Sequence, residues 1–197
     1  MQPLILASGS RYRAELLARL GLPFATRSPD IDESRRPGET PRDLAERLSR
    51  EKALAVAGGL ASGLVIGSDQ VADCGGEILG KPGTLERAVR QLQAASGRQV
   101  TFWTGLALAD AGCGTLQSTV VRCDVEFRTL TDDEIRNYLA IEQPLDCAGS
   151  FTAEGLGVVL FRRLVTDDPT SLVGLPLIAL ADMLRAAGVT LPPAAAS

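Results

Sequence analysis

Residues 4–21 read LILASGSRYRAELLARLG, and this stretch places a strand, a polar turn and a helix in direct succession. Its apolar start is typical of a buried strand, and the Ser-Gly-Ser sequence breaks that strand. Leucines then recur at helical spacing up to Gly21, which favours the end of a helix. Free backbone N–H groups at the start of such a helix form a natural anion site. The stretch therefore indicates a fold in which strands and helices mix.

The rest of the chain continues this mixture. Capping residues and apolar spacing predict further helices over residues 40–57, 84–95, 131–140 and 176–187. Further strands are predicted over residues 64–66, 99–110, 116–128 and 157–165, with a hairpin turn at 74–77. The two long strands around residues 111–114 argue against a purely parallel sheet, so the expected class is α/β with a mixed sheet. We expect a single domain over residues 1–197, with a frayed tail at 192–197.

The composition excludes several classes of protein. Hydrophobic residues make up 45% of the chain, enough for a sizeable core, and the net charge of −4 gives no basic face for nucleic acid. No apolar run reaches the ~18 residues of a membrane-spanning helix. The N-terminal residues lack the basic region of a signal peptide, so a cytoplasmic location is expected. The four cysteines form no C-x-x-C pair, which favours free thiols in a reducing compartment.

Histidine is absent from the chain. This excludes Ser-His-Asp and Cys-His catalysis and any metal held by histidine. If the protein is an enzyme, carboxylates must transfer the protons, or a metal bound by oxygen ligands must assist.

Lysine is almost absent, since only Lys52 and Lys81 among 20 cationic residues are lysines. Arginine presents a broad planar fork, whereas lysine presents a compact ammonium on a flexible stem. The two lysines are therefore candidates for places where a fork does not fit, and chance survival is the alternative. Lys81 lies in a Gly-Lys-Pro loop, and Lys52 lies on a predicted helix.

The other candidate groups lie at the first helix and at the strand of residues 64–66. Asp69 is expected just past the end of that strand, on a Gly-Ser turn, which is where open α/β sheets place ligands. A turn-capping aspartate is the alternative. Arg11 and Arg13 open the first helix, where cations are unfavourable unless an anion sits there. Backbone donors, cations and one carboxylate together suit a polyphosphate substrate.

These residues fall within an ordered series of motifs. The motifs lie at residues 4–17, 30–33, 51–53, 67–71, 80–82, 96–97, 104–105, 147–155 and 174–177. A single Gly-Lys-Pro would mean little, but the whole ordered series is specific. On these motifs the chain resembles the Maf (septum-formation inhibitor) family over about residues 3–187.

The resemblance implies an elongated, ITPase-like α/β fold with two lobes around a deep cleft. It implies hydrolysis of a small-molecule nucleoside triphosphate to the monophosphate and pyrophosphate, with Mg²⁺ or Mn²⁺ as cofactor. The family's general base matches Asp69, and Asp69 and Glu33 are its implied metal ligands here. The residues that match phosphate contacts are Ser8, Arg13, Glu33, Lys52 and Lys81. Both lysines fall on matched positions, which argues against chance survival.

Three positions depart from the pyrimidine-specific branch of the family and resemble the 7-methyl-GTP branch. They are Tyr12, Gln70 and Glu154. The 7-methylated guanine ring carries a positive charge, which favours stacking on an aromatic face such as that of Tyr12. Guanine also offers two neighbouring N–H donors that one carboxylate can accept, and we expect Glu154 to do so in a cleft shielded from water.

The sequence is compatible with two alternative functions. The first is a pyrophosphatase for dTTP, UTP or another non-canonical nucleotide. The second is a non-catalytic, nucleotide-binding regulator of septum formation, which would have no need of the general base. No nucleic-acid or membrane partner is expected, and the oligomeric state is left open, with a homodimer among the candidates.

Overall fold

The computed structural model describes residues 2–194, which form five α-helices and a seven-stranded mixed sheet. The helices are α1 (Arg11–Ala18), α2 (Pro41–Ala57), α3 (Leu85–Ala95), α4 (Asp132–Glu142) and α5 (Leu177–Ala186). The strands are β1 (Leu4–Leu6), β2 (Ala25–Thr26), β3 (Leu64–Cys74), β4 (Glu77–Leu79), β5 (Gln99–Asp110), β6 (Leu116–Phe127) and β7 (Phe161–Thr166). The predicted α/β class with a mixed sheet is confirmed.

The sheet has the strand order β2-β1-β3-β5-β6-β7, and β4 pairs with β3 beside this path. Strand β1 runs parallel to both β2 and β3, whereas the β3–β4 and β6–β7 pairs are antiparallel. The β3–β4 connection is the tight Gly75-Gly76 turn that the sequence predicts, and both glycines have a positive φ.

Local capping chemistry explains where the helices begin. Thr40, Thr84 and Thr131 each cap a helix by accepting a hydrogen bond from a backbone N–H three residues later. Thr131 and Glu134 complete a capping box, as predicted, and Pro41 occupies the first turn of α2. These short-range signals are the reason that the predicted helix starts are correct.

Two predicted strand boundaries are wrong. Strand β3 does not end before Gly67 but continues to Cys74: its parallel pairing with β1 ends at Ile66, but β5 is its other neighbour in the sheet and residues 72–74 pair with β4. The last strand does not begin at Gly157: residues 156–160 form a 3₁₀ segment, and β7 begins at Phe161.

The chain forms two compact units. The first unit comprises residues 2–69, 104–121 and 168–194, and its strand β1 is buried on both faces. Leu4 and Leu6 pack in a cluster with residues of α1 and α5, while Ile5 and Ala7 pack in a second cluster with residues of α2. The alternation of side chains along a strand therefore places α1 and α5 on one face of the sheet and α2 on the other.

The second unit comprises residues 70–103 and 122–167 and has an aromatic core. Four phenylalanines in it make edge-to-face contacts with ring centroids 4.9–5.7 Å apart: Phe102, Phe127, Phe151 and Phe161. Tyr138 of α4 is also fully buried, and its hydroxyl accepts a hydrogen bond from the Thr152 backbone N–H at 3.0 Å.

Other predictions concern the termini, the cysteines and membrane association. Residues 192–194 belong to no helix or strand, and the rest of the predicted frayed tail, residues 195–197, lies outside the described residues. The four cysteines are free thiols, as expected. In the described part of the chain, no helix has both the length and the apolar character that a membrane span requires. The predicted arrangement of two lobes around a cleft stays a prediction.

Candidate active site

A buried lysine joins two of the predicted carboxylates in the first unit. The Lys52 ammonium lies 2.6 Å from Asp69 Oδ1 and 2.7 Å from Glu33 Oε1. Lys52 and Asp69 are only 7% and 8% exposed, whereas the Glu33 side chain is 60% exposed. Burial of an ion pair is costly unless both charges are well satisfied. The Lys52 contact therefore neutralises the buried charge of Asp69 and also holds its carboxylate in place.

Two glycines allow the helix that carries Lys52 to approach the sheet. A Cβ atom added to Gly67 of β3 would clash with the backbone carbonyl of Ser49, and one added to Gly105 of β5 would clash with that of Ala45. Asp69 lies two residues after Gly67 and shares its face of the strand. Asp69 thus lies within β3, not on a turn just past its end as the sequence suggested, and the close approach of α2 brings Lys52 to it.

On the other face of β3, Ser68 and Arg13 converge on one carbonyl group. Arg13 Nε donates to the Gly174 carbonyl oxygen at 2.8 Å. Ser68 Oγ lies 2.8 Å from the carbonyl oxygens of both Gly174 and Gly105, and its single hydrogen can be donated to one of them at a time. Gly174 has a φ of 115°, and an added Cβ would lie 3.4 Å from Arg13 Nε. A glycine is therefore required where the guanidinium is anchored.

The Ser-Gly-Ser turn joins the same group of contacts. Ser8 is buried, and its hydroxyl oxygen accepts from the Ser10 backbone N–H at 3.1 Å and from Arg13 Nη1 at 3.4 Å. The hydroxyl proton of Ser8 is then available to donate elsewhere. Ser10 caps α1, so the turn, the helix start and Arg13 form one local unit.

Burial changes the acid–base behaviour of Arg13. It lowers the pKa of the guanidinium below its ordinary value, while the negative charges of Asp69 and Glu33 act in the opposite direction. Arginine stays protonated in proteins, so the consequence is a poorly solvated cation that gains from a nearby anion. Ser8 and Arg13 thus form one group of contacts and Glu33, Lys52 and Asp69 a second, and the charges of Asp69 and Glu33 act on Arg13. All five predicted site residues belong to the first unit.

Sequence reasoning missed two groups that support this cluster. Asp168 is buried, and its two carboxylate oxygens accept from the backbone N–H groups of Thr170 and Ile178 at 3.0 and 2.7 Å. These bonds hold the segment that contains Gly174. Arg47 of α2 binds the segment that contains Glu33 through Glu39 and the Ser34 carbonyl group. The contact of Asp168 with Thr170 is a short-range capping signal that the sequence could have shown, whereas the Arg47 contacts reach back 8 and 13 residues and follow no short-range pattern.

The remaining predicted residues differ in their setting. Tyr12 lies on α1, where the Arg11 guanidinium carbon sits 4.7 Å from its ring centroid and an Arg11 nitrogen donates to its hydroxyl at 2.7 Å. This ring therefore already accepts a cation on its face. Gln70, Lys81 and Glu154 belong to the second unit.

Two of these second-unit residues are exposed. Lys81 lies in a loop, as predicted, next to buried Pro82. Glu154 lies on an exposed turn, so the expectation that it is shielded from water is wrong for this structure. Its neighbour Glu142 makes the bonds that hold this loop: it accepts from Thr152 Oγ1 at 2.6 Å and from the Leu156 backbone N–H at 2.7 Å.

The fold is that of a known class of solved structures. The chain superposes on the Ham1 protein of Staphylococcus aureus with a TM-score of 0.54 at 15% identity, covering 94% of this chain and all of that one. A HAM1 protein from Coxiella burnetii gives a TM-score of 0.53 at 17% identity with the same coverage. The protein thus has a Ham1-like α/β fold.

The sequence comparisons define the family more narrowly. The family model described as Maf-like protein matches residues 3–187, so this chain belongs to the Maf-like protein family. Curated relatives named 7-methyl-GTP pyrophosphatase are 59% identical in Pseudomonas syringae pv. tomato and 58% identical in Pseudomonas aeruginosa. Both alignments span 192 residues, 98% of this chain and the whole of each relative. A relative of the same name in Polaromonas is 56% identical over 96% of this chain and 87% of its own length.

The family suggests a divalent metal, and the residues present fit a shared site. Glu33 and Asp69 provide two carboxylates, and both of them contact the same atom, the Lys52 ammonium nitrogen. Within residues 2–194, no group of three or more Cys, Asp or Glu side chains could hold a metal by itself. In nucleotide enzymes Mg²⁺ is commonly bound by one or two carboxylates together with substrate phosphates, and this donor set agrees with that pattern.

Proposed function

We propose that this protein is a nucleoside triphosphate pyrophosphatase that hydrolyses 7-methyl-GTP to 7-methyl-GMP and diphosphate. The observation that carries the proposal is the buried contact of Lys52 with Asp69 and Glu33 in a chain more than half identical to relatives of that name. The cluster offers a carboxylate base and several cations, and the chain has no histidine. We further propose that the protein acts in the cytoplasm on the free nucleotide.

In the proposed reaction, Asp69 accepts a proton from the attacking water. The water oxygen forms a bond to phosphorus at the α–β anhydride, the bridging P–O bond breaks, and diphosphate leaves with the electron pair. Proton removal by a positioned carboxylate typically contributes ~10²–10⁴-fold to the rate. Lys52 holds the Asp69 carboxylate in one orientation through its 2.6 Å contact.

The phosphate groups are bound by Ser8, Arg13, Lys52 and Lys81 in this proposal. The spare hydroxyl proton of Ser8 and the poorly solvated guanidinium of Arg13 favour an anion at the start of α1. Mg²⁺ or Mn²⁺ at Glu33 and Asp69 would supply positive charge against the triphosphate. When a nucleotide is bound, the Lys52 ammonium can donate to a phosphate oxygen as well as to the two carboxylates, because it has three N–H donors.

Tyr12, Gln70 and Glu154 are proposed to select the base. The cation already on the Tyr12 face supports this role, because the same face suits the positively charged 7-methylguanine ring. Glu154 supplies a carboxylate for the two neighbouring N–H donors of guanine. Since Glu154 is exposed in the structure, we expect a smaller contribution from it than a fully shielded carboxylate would make.

The test is a panel of nucleoside triphosphates with identification of the products. The panel contains 7-methyl-GTP, GTP, UTP and dTTP, each with Mg²⁺, with Mn²⁺ and with excess chelator. We expect diphosphate as the first product, the highest kcat/KM on 7-methyl-GTP, and loss of activity in chelator. Orthophosphate as the first product would refute the reaction, a preference for UTP or dTTP would refute the substrate, and binding without turnover would indicate a nucleotide-dependent regulator.

A further inference from the structure

Glu33 lies on a segment that has no regular structure of its own. Residues 27–40 connect β2 to α2 without a helix or strand. The Glu33 side chain is largely exposed, yet its carboxylate reaches the buried Lys52 ammonium at 2.7 Å. Exposed connecting segments are normally mobile, so other contacts must hold this one for Glu33 to keep that position.

Arg47 supplies those contacts from the first half of α2. Its Nε and Nη2 donate to the two carboxylate oxygens of Glu39 at 2.6 and 2.9 Å, and its Nη2 also donates to the Ser34 carbonyl oxygen at 2.9 Å. Its Nη1 donates to Glu51 at 3.0 Å. The Arg47 and Glu39 side chains are only 13% and 9% exposed. One guanidinium thus binds the segment at Glu39 and at Ser34, the residue directly after Glu33.

The acceptors of Arg47 are themselves held in place. Glu39 accepts a further hydrogen bond from the Arg36 backbone N–H at 3.0 Å, and Arg36 pairs with Glu51 at 2.9 Å. The hydrogen bonds from Arg47 lower the pKa of Glu39 to about 2, so the pair is fully charged at neutral pH. Bidentate pairs of arginine and carboxylate fix geometry as well as charge, which a lysine at the same place would not do.

We propose that Arg47 is a positioning residue for Glu33: by holding Ser34 and Glu39, it keeps the Glu33 carboxylate on Lys52 and ready for the metal–triphosphate complex. Arg47 and Lys52 lie on the same helix, so α2 sets the lysine and the carboxylate relative to each other. The inference rests on the proposed function, because it assumes that Glu33 contributes to turnover.

A double-mutant cycle tests this role. The variants are Arg47→Met, Glu33→Gln and the double variant, with Arg42→Met as the matched control. Arg42 lies on the same helix and pairs only with Asp43 and Glu46 among the contacts described, at 3.5 and 3.6 Å on the surface. If Arg47→Met does not fold, Glu39→Gln serves as a milder second variant, because it weakens the same Arg47–Glu39 pair by changing the acceptor.

We expect Arg47→Met to lower kcat/KM on 7-methyl-GTP by about ten-fold or more, with a further loss below about two-fold when Glu33 is already glutamine. Amide hydrogen exchange should accelerate across residues 28–39 in Arg47→Met and in Glu39→Gln, and not in Arg42→Met. Arg47→Lys should restore little of the activity, because an ammonium has three donors at one point and cannot reproduce the four hydrogen bonds that the guanidinium fork makes to Glu39, Ser34 and Glu51.

Two results would overturn the inference in distinguishable ways. If Arg47→Met costs the same factor with Glu33 present and with Glu33→Gln, Arg47 acts on stability alone and the positioning role is wrong, while the proposed function stands. If Glu33→Gln by itself leaves turnover unchanged, Glu33 has no part in the reaction, and both the positioning role and that part of the proposed function are wrong.

Discussion

The two compact units divide the predicted site residues by their surroundings. In the first unit, Lys52 and Asp69 are buried and bonded to each other, and Arg13 is anchored on a backbone carbonyl group. In the second unit, Lys81 and Glu154 are exposed, on a loop and on a turn. The difference indicates that the groups proposed for the chemical step are arranged before substrate binds, as catalysis by preorganised charges requires. The exposed groups can adapt to the nucleotide.

The largest effect should come from Asp69→Asn, which removes the proposed base and keeps its shape. We expect turnover to fall by ~10²–10⁴-fold on every nucleotide tested, because the loss affects the reaction itself and not the choice of base. The measurement is kcat on 7-methyl-GTP and on UTP, with circular dichroism as the control for folding. A variant that retains near wild-type turnover, or that loses activity on one base alone, would contradict the assignment of the chemical step to the buried groups of the first unit.

The two lysines allow a direct comparison of the regions. Lys52→Arg should reduce kcat by about a hundred-fold, because a planar guanidinium does not fit between Asp69 and Glu33 in a buried site. Lys81→Arg keeps the charge in an exposed loop, and we expect a loss of about ten-fold or less, seen mainly in KM. Both variants are assayed side by side under the same conditions. Equal losses at the two positions would contradict the difference in preorganisation.

A smaller effect is expected on stability, through Glu39. Hydrogen bonds from Arg47 lower the pKa of Glu39 to about 2 in the folded protein, against an ordinary value of 4.5. Its charged form therefore stabilises the fold above pH 4.5, and this contribution is lost as the pH falls from 4.5 through 2. Glu39→Gln should lower the Tm by about 2–4 °C at pH 7 and by progressively less below pH 4.5. A difference in Tm that is as large at pH 2.5 as at pH 7 would show that the charge is not responsible.

Much of the fold could be predicted because its signals are local. The threonines at positions 40, 84 and 131 precede their helices directly, and the Gly75-Gly76 turn lies between its own two strands. Composition was equally visible in the sequence: the absence of histidine pointed to a carboxylate as the base, and the rarity of lysine pointed to Lys52. The Ser-Gly-Ser turn with Arg13 at the start of the first helix was visible in the same way, and the family resemblance added Glu33.

The parts that could not be predicted depend on contacts across the chain. Asp69 was expected on a turn because its Gly-Ser neighbours are typical of turns, but Gly67 is there so that α2 can approach β3. Arg47 is one arginine among many, and only its bonds to Glu39 and Ser34 distinguish it. The exposure of Glu154 likewise follows from the way that Glu142 folds the neighbouring loop.

The most direct test of the account is the ratio of kcat/KM on 7-methyl-GTP to that on UTP, measured for the wild type and for the variant Tyr12→Arg, Gln70→Thr, Glu154→Gln. We predict a ratio well above one for the wild type, and a fall of about ten-fold or more in the variant, since the lost contacts to the base need to be worth only about 1.4 kcal/mol together for that change. Turnover of UTP should persist in the variant, because Asp69 and Lys52 are unchanged. A wild-type ratio below one, or an unchanged ratio in the variant, would contradict the assignment of 7-methyl-GTP and of the residues that select it.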